Sequence, residues 1–169
     1  MKINYLKLFV AIIISIYFVW LSFAPEHFGI LDYVNLLNHE AGHWIWGLFG
    51  YWIGIFGGSF NQVLIPIIVC TYFFLNNKKF SGSLILFWIA QNFFNVAIYA
   101  GDAIKMQLNL LGGKENVIHD WNALFIYWGV LRHTNEIALS IRYFGMVILI
   151  LGLTFSIKHS FNEPKKIII

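Results

Sequence analysis

Cysteine, proline and charge are all scarce in this chain, and each scarcity removes a class of explanation. The lone cysteine, Cys70, lies inside an apolar run and has no partner for an intramolecular disulfide, which excludes a stapled scaffold. It reads as a small buried hydrophobe. Three prolines in 169 residues leave no Pro-rich linker, and there is no repeat or low-complexity tract, so residues 1–169 read as a single domain. Only 11% of the residues are charged, against about 25% in ordinary soluble domains. The formal charge is +3, but the eleven Lys and Arg are spread between apolar segments and form no basic face, so nucleic acid is not an expected partner.

What the chain has in excess is apolar and aromatic surface, 59% hydrophobic and 19% aromatic residues. A short soluble core cannot bury that much, and the expected solvent is a lipid bilayer. The fold class expected is therefore all-α, a polytopic helical membrane protein. Leu8 to Ala24 is nearly continuous apolar sequence after Lys2 and Lys7 and reads as a signal anchor. A more polar helix is expected from about Asp32, as N-cap, to Phe49, stopped by Gly50. A Gly-rich turn from Gly54 to Ser59 then leads into an apolar run from Val63 to Leu75. Further segments are a span from about Ser81 to Asp102, a loop from Asn109 to Asp120, a short aromatic helix from Trp121 to Leu131, and a last span from about Glu136 to Ile157.

Charge suggests an orientation. Placing the N-terminus, the Lys78–Lys79 turn and the C-terminal tail in the cytoplasm collects seven basic residues there, Lys2, Lys7, Lys78, Lys79, Lys158, Lys165 and Lys166, and leaves Lys105, Lys114 and Arg132 opposite. That arrangement predicts four full spans, with the polar helix re-entrant or partly buried and returning through the Gly-rich turn. Five spans are the alternative. The expected location is the inner (plasma) membrane of a bacterium, with both termini cytoplasmic.

Chemistry concentrates in Asn38-His39-Glu40-Ala41-Gly42-His43-Trp44, which contains HExxH. Histidines four apart on a helix stand one turn above each other, so His39 and His43 can share one tetrahedral Zn2+ ion per chain. Glu40 can reach a metal-activated water as general base without being a ligand. Chance alone would place such a motif in on the order of one such chain in 160. A packed polar seam is the bland alternative, but ionisable groups at membrane depth are expensive and usually functional.

Two protein ligands do not suffice for a catalytic zinc, which commonly has three and an open position. The third is expected among Asp102, His119 and Asp120. Asp102 closes a polar stripe, Gln91, Asn95, Tyr99 and Asp102, that must face protein or water. Its alternative is hydrogen-bonding glue between helices. His119 and Asp120 open the short aromatic helix, where Asp120 also suits an N-cap. Asn61 and Gln62 suit either substrate contact or capping of the next span. The seven Trp, many near span ends, fit an aromatic belt.

The HExxH on a hydrophobic helix resembles the site-2-protease class of intramembrane zinc proteases. That resemblance implies His39 and His43 as zinc ligands, Glu40 as base, and Asp102 as the later aspartate with Asn95 upstream. Here the later motif reads Gly101-Asp102-Ala103 in place of the family's Leu-Asp-Gly. The same residues are equally similar to a small bacterial membrane HExxH family with a Gly-Gly-Ser turn and a His-Asp-Trp loop. The expected activity is zinc-dependent hydrolysis of a peptide bond in a membrane protein or peptide. The alternatives are non-catalytic metal binding or transport, and a zinc-dependent lipid amidase or esterase.

Overall fold

A computed structural model describes residues 2–24, 28–109 and 118–162. Among the described residues the regular elements are one pair of two-residue strands, a 3-10 turn at Leu131–His133, and six α-helices: α1 (Tyr5–Phe23), α2 (Ile30–Gly47), α3 (Tyr51–Leu75), α4 (Lys79–Gly101), α5 (Asp120–Tyr127) and α6 (Thr134–Lys158). Four segments are long and apolar enough to cross a membrane, α1, α3, α4 and the Leu131–Lys158 stretch that contains α6. α1, the shortest of these at 19 residues, is about 28 Å long, close to the hydrocarbon thickness of a bilayer. α2 is not among them, because Asp32, Asn35, Asn38, His39, Glu40 and His43 interrupt its apolar residues.

The spans meet through an apolar core in which Phe18 and Leu21 of α1 pack on Phe87, Ala90 and Phe94 of α4 and Leu149 of α6. At one end of the bundle the strands Lys2–Ile3 and Phe161–Asn162 pair antiparallel. Lys7 Nζ lies 5.3 Å from the Phe80 ring centre there, and Ser83 Oγ meets His159 Nδ1 at 3.0 Å. The two paired strands and the Lys78–Lys79 turn thus share one end. Lys165 and Lys166 lie outside the described residues, as does most of the 109–120 loop.

The expected Gly54–Ser59 turn is instead helix. α3 runs unbroken from Tyr51, and the chain reverses at Leu48–Gly50, where Gly50 takes φ +129°. The spacing explains the difference. Gly54, Gly57, Gly58, Asn61 and Gln62 recur at three- and four-residue intervals, so they line one helix face, and all are buried. That face of small residues lets α2 approach backbone to backbone. A Cβ on Gly42 would collide with Gly57 O, and one on Gly54 would fall 2.8 Å from Gly47 Cα.

Asp32 is not the N-cap of α2. Gly29 holds that position, and Asp32, three residues on, accepts from Gly29 N through Oδ2 at 2.8 Å. Its Oδ1 accepts from Gln91 Nε2 at 2.7 Å and Asn95 Nδ2 at 2.8 Å. Asn35 Nδ2 donates to Gln91 Oε1 at 3.0 Å and Asn35 Oδ1 accepts from Trp88 Nε1 at 2.7 Å. These bonds account for the first half of the polar stripe on α4: Gln91 and Asn95 face α2, and their donors fix the start of the histidine-bearing helix.

Candidate metal centre

His39 and His43 stand on the α2 face that meets α3, one turn apart, with ring centres 4.8 Å from each other. Each ring is anchored at Nδ1. His43 Nδ1 donates to Gly54 O at 2.8 Å, and His39 Nδ1 faces Gln62 Oε1 at 3.3 Å. A backbone or amide oxygen accepts the hydrogen bond from Nδ1–H, so in the neutral ring Nε2 carries the lone pair, the arrangement typical of a metal-ligating histidine. Both Nε2 atoms then point at one carboxylate oxygen. Asp120 Oδ2 lies 3.0 Å from His39 Nε2 and 3.3 Å from His43 Nε2.

These His–Asp contacts are also close to the spacing of ligands around one ion. Nitrogen and oxygen ligands bound tetrahedrally to zinc lie roughly 3.3 Å apart. Among the described residues, His39, His43 and Asp120 form a group of metal-ligating side chains whose ligand atoms all lie within 4.8 Å of one another, and the group could hold a metal ion. The side chains of His39 and Asp120 are 9% and 10% exposed and that of His43 is 28%, so the site opens on the His43 side.

α5 delivers Asp120. Trp121 and Phe125 bury against Val96, Ala100 and Ala103 at the end of α4, while Trp121 Nε1 donates to Ser59 Oγ at 3.1 Å and Tyr127 stacks on Trp52 at 3.9 Å. α5 starts one residue earlier than expected and ends at Tyr127, four residues sooner, before Gly129 with φ +69°. His119, not Asp120, is its N-cap, with Nδ1 accepting from Asn122 N at 3.2 Å. Of the three residues expected to compete for the third ligand position, Asp120 is the one gathered with the histidines. Asp102 and His119 pair with each other, His119 Nε2 to Asp102 Oδ2 at 3.4 Å, outside that group.

Glu40, half-buried on the same turn of α2, has no hydrogen-bond partner among the described residues, yet its charge acts on His43. Asn61 Nδ2 donates to Asn38 O at 2.7 Å, bracing the motif from α3. Gly58 is a residue that sequence reasoning missed. A Cβ there would lie 2.6 Å from His43 Cε1 and 2.7 Å from each histidine's Nε2. Its glycine spacing was the available signal.

The hydrogen bond to Asp120 raises His43 to about 8 against the opposing effect of burial, and the charge of Asp120, the Gly54 carbonyl and Glu40 add to the rise. Burial pushes Asp120 upward, but hydrogen bonds from His39 and His43 and their charge outweigh it and hold the carboxyl below its ordinary value. A cation must displace the proton on His43. Metal affinity is therefore expected to rise about tenfold per pH unit below about 8 and to level off above it, with proton release on binding at neutral pH. Isothermal titration of the metal-free protein in buffers of different ionisation enthalpy would measure that proton; equal heats in all of them would contradict the assignment.

No family model, curated protein or solved structure matches this chain.

Proposed function

We propose that this chain is a membrane-embedded zinc hydrolase whose substrate is a peptide bond in a membrane protein or peptide. One observation carries the reading: two imidazoles anchored at Nδ1 and a carboxylate from a distant helix converge on one point, beside a glutamate without a hydrogen-bond partner among the described residues. His39, His43 and Asp120 supply three ligands, the number common to catalytic zinc sites, which leaves a position open to water or substrate.

Bound zinc supplies Lewis acidity, lowering the pKa of water to about 7 and polarising a carbonyl. Glu40 takes the proton of the attacking water and returns it to the departing amine. Asp120 and the two imidazoles hold the centre, and Gln62 and Gly54 keep the rings turned toward it. The nitrogen and oxygen donor set suits zinc. The likeness of the HExxH helix to site-2 proteases supports the same chemistry. The clustering of Lys2, Lys7, Lys78, Lys79 and Lys158 at one end supports placing that end in the cytoplasm of a bacterial inner membrane, with the zinc at the opposite end.

The expected result for detergent-purified protein is about one zinc per chain and cleavage of a membrane-inserted apolar peptide. Chelation should abolish cleavage and added zinc restore it, while His39→Ala should lose metal and activity together. Elemental analysis beside a cleavage assay makes the test. Wild-type protein that takes up no transition metal when supplied would end this reading; cleavage of a lipid amide in place of the peptide would redirect the substrate class.

A further inference from the structure

Asp120 is the first residue of a helix of eight residues, so its reach to the histidines depends on how the start of α5 is held. Besides the Trp121–Ser59 bond to α3, four contacts hold it from the last turn of α4 and the residues just after it. Tyr99 Oη accepts from Asp120 N at 3.1 Å, and the Tyr99 ring packs on that of His119 with centres 4.5 Å apart. Asn122 Nδ2 donates to Ala103 O at 2.7 Å. His119 Nε2 faces Asp102 Oδ2 at 3.4 Å.

The tautomer of His119 follows from its neighbours. Nδ1 accepts from Asn122 N, so in the neutral ring the proton sits on Nε2, the atom turned to Asp102. That Nε2 is buried and makes no well-formed hydrogen bond among the described residues, which leaves the Asp102 carboxylate as the charge that orients it. Asp102 is itself fixed, accepting from Gln107 N through Oδ1 and from Leu108 N through Oδ2, each at 2.9 Å. Both Asp102 oxygens are thus committed to backbone, His119 Nδ1 is committed to the α5 cap, and the Asp102 charge lies 3.4 Å from Nε2.

We infer that Asp102 and His119 are positioning residues: a clamp between the end of α4 and the start of α5 that presents Asp120 to the histidine pair. The inference rests on the metal reading above and assigns both residues a role other than ligation. Removing partners that orient ligands commonly weakens metal affinity by about 10- to 100-fold while leaving the ligand set intact.

The full chain, purified in detergent and freed of metal, would be titrated with Co2+, whose visible absorption reports coordination geometry. His119→Ala should bind one Co2+ with unchanged bands and affinity lower by about 10- to 100-fold. His119→Asn should recover only part of that loss, because asparagine restores the N-cap but not the nitrogen turned to Asp102. Asp120→Ala should change the bands themselves. Unchanged affinity in His119→Ala, wild-type affinity in His119→Asn, or bands in His119→Ala altered like those of Asp120→Ala would each overturn the clamp. If His119→Ala does not fold, Asp102→Asn carries the test, with weaker binding and the same spectrum expected and wild-type affinity counting against it. Failure of the metal reading is distinguishable, since wild type itself would then bind no Co2+.

Discussion

Gly58→Ala is expected to cripple the metal centre without touching a ligand. The new methyl would lie 2.7 Å from both Nε2 atoms and 2.6 Å from His43 Cε1, distances that carbon atoms do not tolerate. Relief requires either α3 to retreat from α2 or an imidazole to swing off Asp120. The first route is resisted along the whole hairpin, where Gly42 meets Gly57 O and Gly54 meets Gly47 Cα. Overpacking of this kind costs about 1–3 kcal/mol, so Zn2+ affinity should fall roughly 10- to 100-fold even if the fold survives. Gly47→Ala is the control on the same hairpin: its Cβ would meet nothing closer than Gly54 Cα at 4.0 Å, and near-normal zinc binding is expected. Competition titration with a chromophoric chelator reads both variants. Wild-type affinity in Gly58→Ala would show that the two imidazoles do not rest on α3 as described.

How much of this was legible beforehand depends on the range of the interaction. Hydropathy runs are local, and three of the four membrane-length segments follow from them directly, whereas α3 reaches that length only because the residues before Val63 continue its helix back to Tyr51. HExxH is local as well, since its two ring positions are set by one turn of helix. The face that α3 offers to α2 was also written locally, but Gly57-Gly58-Ser59 has the composition of a turn. The glycines read as helix only when Gly54, Asn61 and Gln62 are taken with them as one stripe. Glycine's poor helix propensity is outweighed here by the close approach it permits between helices. The third member of the site could not be singled out in the same way. Asp120 lies 81 residues from His39, and Asp102, His119 and Asp120 all sit near the same end of α4. What separates them is the cap: with His119 Nδ1 turned to Asn122 N, the next residue, Asp120, is the one presented to α2.

Glu40→Gln should separate binding from catalysis. The amide has nearly the shape of the carboxylate, and no described residue loses a hydrogen bond when the charge goes, so the packing of α2 should be unaffected. His39, His43 and Asp120 keep their mutual distances, and zinc should remain at about one per chain. The amide, however, cannot take a proton from the attacking water. Loss of a positioned general base typically costs about 10²–10⁴ in rate, and peptide hydrolysis should fall by that factor with substrate binding little changed. Single-turnover cleavage by zinc-loaded protein, beside elemental analysis of the same sample, makes the measurement. A non-catalytic metal carrier would behave oppositely, because metal exchange depends on the ligands and not on a neighbouring base. Retention of more than about a tenth of the wild-type rate by a zinc-loaded Gln variant would remove Glu40 from the mechanism. Loss of the metal itself would make Glu40 a ligand and require the site to be redrawn around it.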